Sequence, residues 1–425
     1  MGNVVTDQTA RLLLKQMLTA AISAADPSIC LPSFLPSPPT GKTIVLGAGK
    51  AGARMAETVE AYWEGPISGL VIVPYGYGSS CKEIEIVEAS HPIPDDKGYE
   101  AARRILALAA EAVADDLVLC LISGGGSALM SLPVPGLMLH EKASLNSQLL
   151  RSGADIAEIN CVRKHLSSIK GGHLAAAAKP ARTVTLLISD VPGDDPSVIA
   201  SGPTIPDSTT FSDALAVLEK YGIEQPIAAL ELLKEGKVET LKPDNDCFWN
   251  CETHIVATPQ ISLQAAAEVA NRNGIQSLIL GDAVEGEARE VAKVMAAIAK
   301  QTRYRGQPAE TPVVLLSGGE TTVTVIGDGR GGRNSEFLLA LAIALNGEKG
   351  INALAADTDG IDGAEDNAGA IVSPSTLERA AQKRVDAKSY LANNDAYSFF
   401  KSIDDLVITK PTHTNVNDFR AILIA

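Results

Sequence analysis

The sequence predicts an α/β protein of two domains, the first built on a parallel sheet and the second smaller. Three observations support this prediction. The chain has 425 residues, more than the roughly 250–300 that a single hydrophobic core usually serves. Short apolar runs alternate with stretches of helical periodicity along both halves. The apolar runs also lack the alternation of apolar and polar residues found in half-exposed sheets, which favours parallel strands covered on both faces.

The first predicted domain covers residues 1–245. An amphipathic helix at 9–25 and a proline-rich linker at 27–39 precede its sheet. Short apolar runs predict strands at residues 43–46, 70–73, 84–87, 117–122 and 184–188. Apolar residues at helical spacing predict helices at 51–63, 96–114 and 140–178, the last interrupted by glycines, and two more that end near 235.

The second predicted domain covers residues 246–425 and begins within a polar, proline-containing segment at 236–250. It repeats the strand and helix pattern of the first. Its strands are expected at 254–257, 277–280, 313–316, 321–326 and 353–355. Its helices are expected at 260–273, 286–301, 334–345 and 387–402. Two final strands are expected within 405–424, on either side of a polar loop at 410–417.

The formal net charge of −15 argues against two classes of partner. An acidic surface repels nucleic acid and anionic membranes, so neither is expected to bind. The N-terminus lacks a basic segment followed by an apolar run, and no apolar run reaches the length of a membrane span. The six Cys form no CxxC pair, which favours free thiols and a cytoplasmic location. An anionic ligand would therefore need a local concentration of Lys and Arg.

The first glycine-rich turn, Gly47-Ala48-Gly49-Lys50-Ala51-Gly52, lies between a predicted strand and a predicted helix. This GxGxxG pattern in that setting is typical of Rossmann-like dinucleotide sites, whose next strand usually ends in a ribose-binding carboxylate. Here Pro74 and Tyr75 follow the next strand, which disfavours a nicotinamide cofactor. Lys50 stands where an anion binds at a helix N-terminus. The turn is either an anion site with its own cation or an ordinary tight turn.

A second glycine-rich turn, Ser123-Gly124-Gly125-Gly126-Ser127, directly follows the strand predicted at 117–122. Three glycines allow backbone N–H groups to converge and two hydroxyls add donors, so the turn suits a phosphate or a carboxylate. The chain has no GxxxxGK[ST] sequence, so this is not a Walker A loop. The alternative is a turn in which the glycines only avoid strain.

A group of carboxylates follows the last strand of this domain, in Ser189-Asp190-Val191-Pro192-Gly193-Asp194-Asp195. Mg²⁺ prefers one or two carboxylates together with phosphate oxygens and water. Asp190 is the best candidate ligand because it is nearest to the strand. The alternative is a solvated acidic turn in which an Asp caps a helix.

Positive charge is concentrated at Arg163 and Lys170. These residues are seven positions apart and share one face if the helix is continuous. They are either the cations that an anionic ligand requires or part of a solvated helix face.

The second half contains two glycine-rich stretches, Ser317-Gly318-Gly319-Glu320-Thr321 and residues 327–334. The second places Arg330 and Arg333 among glycines at the start of a predicted helix. Glycine permits close approach of the backbone, and Arg makes planar, bidentate contacts with phosphate. This stretch is the most specific local signal for phosphate binding in the chain. Ser317 and Thr321, on either side of Glu320, are expected to line the same pocket.

Two polar loops complete the candidate set. The segment Asp357-Thr358-Asp359-Gly360-Ile361-Asp362-Gly363 begins like an EF-hand loop, but Ala368 stands where the final Glu would be. It is either a crevice site or a solvated acidic turn. The loop at 411–418, which contains Asn415, holds a substrate hydroxyl or a phosphate, or is a polar hairpin loop.

Eight stretches together resemble the glycerate 2-kinase family, whose C-terminal part is called the MOFRL domain. They follow one another along nearly the whole chain. The stretches are GAGKAG at 47–52, SHPIPD at 90–95, LISGGGSAL at 121–129, SDVPGDDPSVIASGPT at 189–204, LSGGET at 316–321, GRGGRNSE at 329–336, DTDGIDG at 357–363 and THTNVND at 412–418.

The resemblance implies a kinase that uses ATP and Mg²⁺ to phosphorylate D-glycerate at O2, with its active site in a cleft between the two domains. It implies Lys50 and Arg333 as catalytic residues. It points to Asp190 and Asp359 as carboxylates that hold the metal, and Asp190 is also a candidate to accept the hydroxyl proton. The residues expected to bind substrate or phosphate are Gly47, Gly49, Ser123, Gly124, Gly125, Gly126, Ser127, Arg163, Lys170, Ser317, Gly318, Gly319, Glu320, Arg330, Asn334 and Asn415.

Other functions remain open at this point. Members of the family have also been labelled hydroxypyruvate reductases, which makes an NAD(P)H-dependent reductase the alternative activity. A non-catalytic module that binds anions is a third class. A homodimer is compatible with the sequence, which does not specify an oligomeric state.

Overall fold

The structure is a computed structural model that describes residues 6–425, and it confirms the predicted α/β class. The chain divides into two compact units. Pro27–Val256 form the N-terminal unit, and residues 6–26 together with Ala257–Ala425 form the C-terminal unit. The first helix thus belongs to the C-terminal unit, whereas the predicted boundary after residue 245 assigned it to the first domain.

The helices are numbered in chain order. They are α1 (Asp7–Ala24), α2 (Pro27–Cys30), α3 (Gly52–Tyr62), α4 (Asp96–Ala110), α5 (Gly126–Leu129), α6 (Leu139–Arg151), α7 (Ile156–His165), α8 (His173–Ala178), α9 (Phe211–Lys220), α10 (Ile227–Lys234), α11 (Pro259–Arg272), α12 (Ala288–Arg305), α13 (Arg333–Leu345), α14 (Thr376–Gln382), α15 (Ala387–Ala392) and α16 (Ala396–Ser402). Short 3-10 turns occur at Pro32–Phe34, Ile199–Ser201 and Asp246–Asn250.

The strands are numbered in the same way. They are β1 (Thr43–Ala48), β2 (Ile67–Pro74), β3 (Ile84–Ala89), β4 (Leu117–Ile122), β5 (Arg182–Ile188), β6 (Cys251–Ala257), β7 (Gln276–Gly281), β8 (Gly286–Glu287), β9 (Val313–Ser317), β10 (Thr321–Thr322), β11 (Ile351–Asp357), β12 (Gly369–Val372), β13 (Leu406–Val407) and β14 (Asp418–Ile424).

The sheet of the N-terminal unit has the strand order β3-β2-β1-β4-β5-β6, and β1 to β5 pair in parallel. This is the order of Rossmann dinucleotide-binding folds. Successive strands are added on one side of β1 up to β3 and on its other side from β4 onward, so the strand order reverses between β1 and β4. Ligands of such sheets bind at this switch point, beyond the carboxyl ends of the strands. Both strands are buried along their whole length, as their apolar sequences predict. The fold therefore brings the two glycine-rich turns that follow β1 and β4 side by side.

The C-terminal unit contains a mixed sheet in the order β13-β12-β11-β14-β9-β7. β7 and β9 are parallel, whereas β14 runs antiparallel to both β9 and β11. The start of β14 therefore lies beside the ends of β9 and β11, since Asp357 is paired with Asp418 and Ser317 with Arg420. The sequence analysis did not predict this antiparallel arrangement.

Three sequence predictions for the C-terminal unit were wrong in detail. The strand expected at 321–326 is only β10, because the segment continues as an exposed loop in which the side chains of Val325 and Ile326 are 71% and 74% accessible. The helix expected at 387–402 is broken into α15 and α16. The short elements β12 and α14 were not predicted.

Helix α1 packs on the C-terminal unit. Its buried residues Leu14, Met17 and Leu18 belong to one apolar cluster with Leu263 of α11 and Leu423 of β14. The end of the helix is fixed by side chains of the same unit, since the Ser262 hydroxyl donates to the Ala21 carbonyl at 2.8 Å and the Thr414 hydroxyl donates to the Ala25 carbonyl at 2.6 Å.

No helix within residues 6–425 is both long enough and apolar enough to cross a membrane.

Candidate active site

The turns that follow β1 and β4 are joined by hydrogen bonds into one structure, which we call the β1–β4 cradle (residues 48–52 and 123–127). The Lys50 N–H donates to the Gly124 carbonyl at 2.8 Å, and the Ser123 N–H donates to the Ala48 carbonyl at 3.1 Å. The Ala51 N–H donates to the Ser123 hydroxyl at 3.0 Å. The structure thus brings together two sets of residues that were predicted from separate motifs.

The backbone donors of the first turn are already occupied. The N–H groups of Gly49, Lys50, Ala51 and Gly52 all donate to acceptors inside the protein. An anion at this turn would therefore be bound through the Lys50 side chain, in line with the prediction of an anion site with its own cation, and not through free N–H groups of the helix N-terminus.

Close packing explains two of the glycines. A Cβ at Gly47 would lie 2.2 Å from the Leu121 carbonyl oxygen, and a Cβ at Gly49 would lie 2.1 Å from the Ser123 hydroxyl. Both glycines are required for β1 and its turn to approach β4 this closely. Their predicted role as ligand-binding residues is not needed to explain them and stays a prediction.

Gly125 occupies the centre of the cradle in a left-handed conformation, with φ of 82°. A Cβ at this position would lie 3.0 Å from His91 Nε2 and 3.6 Å from Lys50 Cγ. Gly125 therefore lies against Lys50, which is expected to be catalytic. Its other neighbour, His91, was not among the predicted site residues.

We expect Gly125→Ala to lower kcat/KM at least tenfold, because the new methyl group would displace the His91 ring and contact the Lys50 side chain, while the left-handed backbone adds about 1–2 kcal/mol of strain. Gly153→Ala is a matched control, since Gly153 has φ of 81° and no atom lies within 4 Å of its Cβ position. Steady-state kinetics and thermal unfolding of both variants separate the two effects. Equal losses of activity would show that the contact with His91 and Lys50 is unimportant.

The serine at the end of the cradle belongs to a buried polar chain. The hydroxyls of Ser127 and Ser201 lie 2.9 Å apart, and Ser201 donates to Asn160 Oδ1 at 3.1 Å. Ala200 and Ser201 both have positive φ, of 50° and 61°. Strained backbone of this kind is often kept at functional sites.

A cluster of cations borders the cradle. The Lys170 ammonium donates to the carbonyls of Ser127 and Met130, both at 2.9 Å, which ties it to the second turn. Lys142 donates to the Leu166 carbonyl at 2.6 Å, and Arg163 Nε donates to Asn146 Oδ1 at 3.4 Å. The structure therefore places Lys170 against the second glycine-rich turn and not on a solvated helix face, and since α7 ends at His165, Arg163 and Lys170 do not share one continuous helix.

Burial makes these cations unusual. Burial, and then the charge of Arg163, lowers the pKa of Lys170 to about 7. Burial and the two neighbouring cations lower the pKa of Lys142 well below its ordinary range, and burial lowers the pKa of Arg163. Desolvation and mutual repulsion both disfavour charge here, so an anion bound nearby would stabilise the charged forms.

Asp190 follows β5, whose end lies beside the end of β4, at the same edge of the sheet as the cradle. Its side chain is partly exposed.

In the C-terminal unit, Arg333 is at the first position of α13 and is held by three carboxylates. Its Nε donates to Asp418 at 2.7 Å, its Nη1 to Glu320 at 2.8 Å and its Nη2 to Asp357 at 2.8 Å. Although burial opposes it, these ion pairs raise the pKa of Arg333 above its ordinary value. Arg333 was expected to offer its guanidinium to phosphate, but in this structure every nitrogen of that group is engaged.

The carboxylates of this cluster are themselves fixed. Asp418 also pairs with Arg420, whose Nη1 donates to the Gly318 carbonyl at 2.9 Å. Asn334 Nδ2 donates to Asp418 at 2.7 Å. The structure thus brings Glu320 of the first glycine-rich stretch to Arg333 of the second, two residues that were singled out in separate motifs.

The glycine-rich loop before α13 has a structural explanation that the sequence did not reveal. The N–H groups of residues 326–330 all donate to oxygen atoms of Asn393, Asn394 or Asp395. A Cβ at either Gly327 or Gly329 would lie 2.4 Å from the Asn393 carbonyl oxygen. The backbone N–H groups of residues 326–330 are therefore not free to cradle phosphate. The glycines allow it to lie against the break between α15 and α16.

Arg330 is exposed and is held away from that backbone. It pairs with Glu365, with Nε to Oε1 at 3.0 Å, and its guanidinium lies 4.6 Å from the centre of the Tyr397 ring. A role in phosphate binding would require it to leave Glu365.

The two polar loops of this unit are joined to each other. The Thr412 N–H donates to the Asp359 carbonyl at 3.0 Å, and the Val416 N–H donates to the Thr358 hydroxyl at 2.9 Å. Asp359 is buried, and its Oδ1 accepts from the Ile361 N–H at 2.9 Å. Asn415 is also buried and accepts from the Asn417 N–H at 3.2 Å.

Asp362 has a clear role in positioning α13. It is fully buried, and it accepts hydrogen bonds from the N–H groups of Asn334 and Ser335 at 3.0 and 2.8 Å. Burial raises its pKa. It thereby holds the first turn of the helix that carries Arg333.

The carboxylates at the strand ends can be compared with the ligands that Mg²⁺ prefers. Within residues 6–425, no group of three or more His, Cys, Asp or Glu side chains is arranged to hold one. Mg²⁺ commonly keeps several waters and binds one or two carboxylates plus substrate phosphates. Single carboxylates such as Asp190 and Asp359 therefore fit an ion that is also bound by phosphate oxygens and water.

Several residues of these sites were not selected from the sequence. Asp357 and Asp418 stand at the ends of motifs that the sequence analysis quoted, but only the antiparallel pairing of β11 and β14 places them together beside Arg333. The other residues in this group are His91, Lys142, Asn146, Asn160 and Arg420. His91 lies in the quoted SHPIPD motif, which was the one available signal for it.

Comparisons with known proteins cover nearly the whole chain. Residues 13–234 match a family described as a domain of unknown function, DUF4147, and residues 313–418 match the MOFRL family. A D-glycerate 2-kinase from Thermotoga maritima is 40% identical, with 97% of each chain covered. The crystal structure of a glycerate kinase from the same organism superposes with a TM-score of 0.89, covering 98% of this chain and all of that one. A protein of Agrobacterium vitis named putative hydroxypyruvate reductase is 52% identical over 98% of this chain and 95% of its own.

Proposed function

Because this chain belongs to the MOFRL family of glycerate 2-kinases, we propose that its β1–β4 cradle and the cluster around Arg333 serve ATP-dependent phosphorylation of D-glycerate to 2-phosphoglycerate. The chain is a glycerate 2-kinase by its full-length similarity to proteins of that name. The roles of individual residues, the use of Mg²⁺ and the details of substrate binding are our proposals.

The observation that carries the proposal is the placement of positive charge. The whole protein has a formal net charge of −15, yet Lys50, Arg163 and Lys170 lie in or beside one cradle at the switch point of the sheet. An acidic protein that gathers cations at the ligand-binding edge of a Rossmann-like sheet is built to bind an anionic substrate there.

Phosphoryl transfer depends mainly on positioning the reactants and on neutralising charge. We assign Lys50 and Arg333 to stabilising the charge of the transferred group. Arg333 would have to exchange at least one of its carboxylate partners for a phosphate oxygen, and Glu320 is the best candidate because it is the most exposed of the three. Ser123 and Ser127 would orient the acceptor, and Asp190 would accept the proton of its hydroxyl.

Asp190 and Asp359 remain the proposed magnesium ligands. When bound with ATP, Mg²⁺ would neutralise phosphate charge. The Asp190 side chain is partly exposed, so it is accessible to an ion that binds with ATP. Asp359 would have to give up or share the hydrogen bond that its Oδ1 accepts from Ile361.

The purified protein should release ADP when supplied with D-glycerate, ATP and Mg²⁺, and NMR of the product should show the phosphate on O2. The alternative deserves a direct comparison, since the 52% identical relative bears a reductase name. The same preparation should be tested for oxidation of NADH and NADPH by hydroxypyruvate. The residue that follows β2 is Tyr75, where a dinucleotide enzyme usually has a carboxylate, so we expect no reductase activity. Reduction of hydroxypyruvate without ADP release would overturn the proposed function.

A further inference from the structure

A cavity of about 280 Å³ lies beside the cradle, within the N-terminal unit. Gly125 and Ser127 of the cradle form one side, and Asn146 of α6 and Arg163 of α7 form another. His91 lies at the cradle side, where its Nε2 is close to Gly125. The cavity therefore borders the position of Lys50, but it reaches beyond the residues to which we assigned phosphoryl transfer.

The charged side chains of residues 6–425 that line the cavity are all basic. Lys142, Arg163 and Lys170 all line it, and no Asp or Glu side chain from the described part of the chain does so. Three cations without a counter-ion repel one another and are costly to bury. An anion placed among them would relieve both costs.

The three cations differ in what they can offer a ligand. The ammonium groups of Lys142 and Lys170 are directed to backbone carbonyls, Leu166 for the first and Ser127 and Met130 for the second. Arg163 Nε donates only a long bond to Asn146, and the Nη1 and Nη2 groups of Arg163 donate to no acceptor within residues 6–425. Arg163 thus keeps the planar pair of donors that matches a carboxylate, and an anion bound there would favour the charged forms of the two lysines.

The remaining walls suit a short organic acid better than a chain of phosphates. They are largely apolar and include Pro92, Ile93, Ala128 and Leu150. The polar groups among them, His91, Ser131 and Ser147, are fewer than the charged donors that a triphosphate requires. A carbon skeleton with one carboxylate at the Arg163 end is compatible with both the apolar wall and the cationic end.

We propose that this cavity binds the carboxylate of the acceptor acid through Arg163, and that this contact selects hydroxy acids over uncharged alcohols. The inference rests on the proposed kinase function and adds to it the group that anchors the acceptor. Because Gly125 borders both the cavity and Lys50, an acid anchored at Arg163 extends toward the cradle, where the hydroxyl is phosphorylated.

The first test is Arg163→Met in the full-length protein. Loss of a charge-assisted hydrogen-bond pair should raise the KM for D-glycerate about 30-fold or more and leave the KM for ATP within about twofold. Binding of D-glycerate without ATP, measured by calorimetry, should weaken to the same extent. Binding of glyceramide, which has no charge, should not change. Arg151→Met, at the exposed end of α6, is the matched control. Its KM values and its affinity for D-glycerate should equal those of the wild-type protein.

A second variant guards against misfolding of the first. Asn146→Asp keeps the size of the side chain and places a carboxylate next to Arg163, with which it should pair. It should therefore compete with the acceptor and raise the KM for D-glycerate about tenfold or more.

The possible results distinguish an error in the carboxylate site from an error in the proposed kinase function. If the unchanged protein turns over D-glycerate but both variants keep its KM and affinity, the cavity does not bind the acceptor and this inference is wrong. A rise in the KM for ATP alone would assign the cavity to a nucleotide phosphate and would also overturn it. Failure of the unchanged protein to release ADP would instead reject the proposed function, and weaker calorimetric binding of D-glycerate by the variants would still support the carboxylate site.

Discussion

Replacing Arg333 with Ala is expected to lower kcat by about 10³-fold or more, the scale of a lost arginine that stabilises phosphoryl transfer. The structure adds a second expected effect. The guanidinium is bound to Asp357, Asp418 and Glu320, so its removal leaves carboxylates facing one another without their counter-ion. Breaking such a pair in a buried site costs about 3–5 kcal/mol, although Asp418 would keep Arg420. Activity and thermal stability must therefore be measured together.

A double variant separates the two effects of Arg333. Arg333→Met combined with Asp357→Asn removes one positive and one negative charge, so it should recover much of the stability lost in the single variant. If Arg333 acts on the transferred group, kcat will stay low in the double variant. Recovery of kcat along with stability would mean that Arg333 only holds the carboxylates in place. Arg272→Ala, at an exposed position of α11, controls for loss of charge in the same unit.

Replacing Lys50 with Ala is expected to lower kcat by about 10²- to 10³-fold, the usual effect of removing one group that stabilises charge in a transition state. The turn itself should survive. Its hydrogen bond to Gly124 is made by the backbone N–H of Lys50, which Ala retains. The unfolding temperature should therefore change little, in contrast to Arg333→Ala.

Two comparisons test whether Lys50 acts through its charge. Lys50→Arg should retain more activity than Lys50→Ala but less than the unchanged protein, because it keeps the charge and alters its shape. Lys82→Ala, at an exposed position of the same unit, should leave kcat unchanged. Near-normal turnover of Lys50→Ala in a folded protein would remove Lys50 from the mechanism.

The sequence predicted the N-terminal unit well because its signals are local. Apolar runs such as residues 117–122 are long enough to mark buried strands, and each is followed directly by its turn residues. The strand order then places the turns together by a general rule of parallel sheets. Arg163 and Lys170 were found through their charge. The cavity that they share depends on the packing of α6 and α7, which no sequence pattern specifies.

The site around Arg333 was harder to predict because it depends on pairing between distant strands. Asp357 and Asp418 become neighbours only when β14 inserts antiparallel between β11 and β9. The glycines at 327 and 329 were interpreted as a phosphate loop, since glycine has the same appearance in a sequence whether the backbone approaches a ligand or another segment. Here the other segment is Asn393–Asp395, which separates α15 from α16. The sequence had predicted one continuous helix at 387–402.

The position of α1 also bears on how the chain is made. This helix is synthesised before Pro27–Val256, whereas Leu263 and Leu423, against which it packs, are synthesised only after the whole of that segment. At a synthesis rate of about 5–20 residues per second, its apolar face has no native packing partners for on the order of ten seconds or longer. Neither half obtained by cutting the gene at codon 245 would encode a complete C-terminal core. Because the C-terminal unit is made of two segments that flank Pro27–Val256, its core can be completed only after the intervening unit has been synthesised.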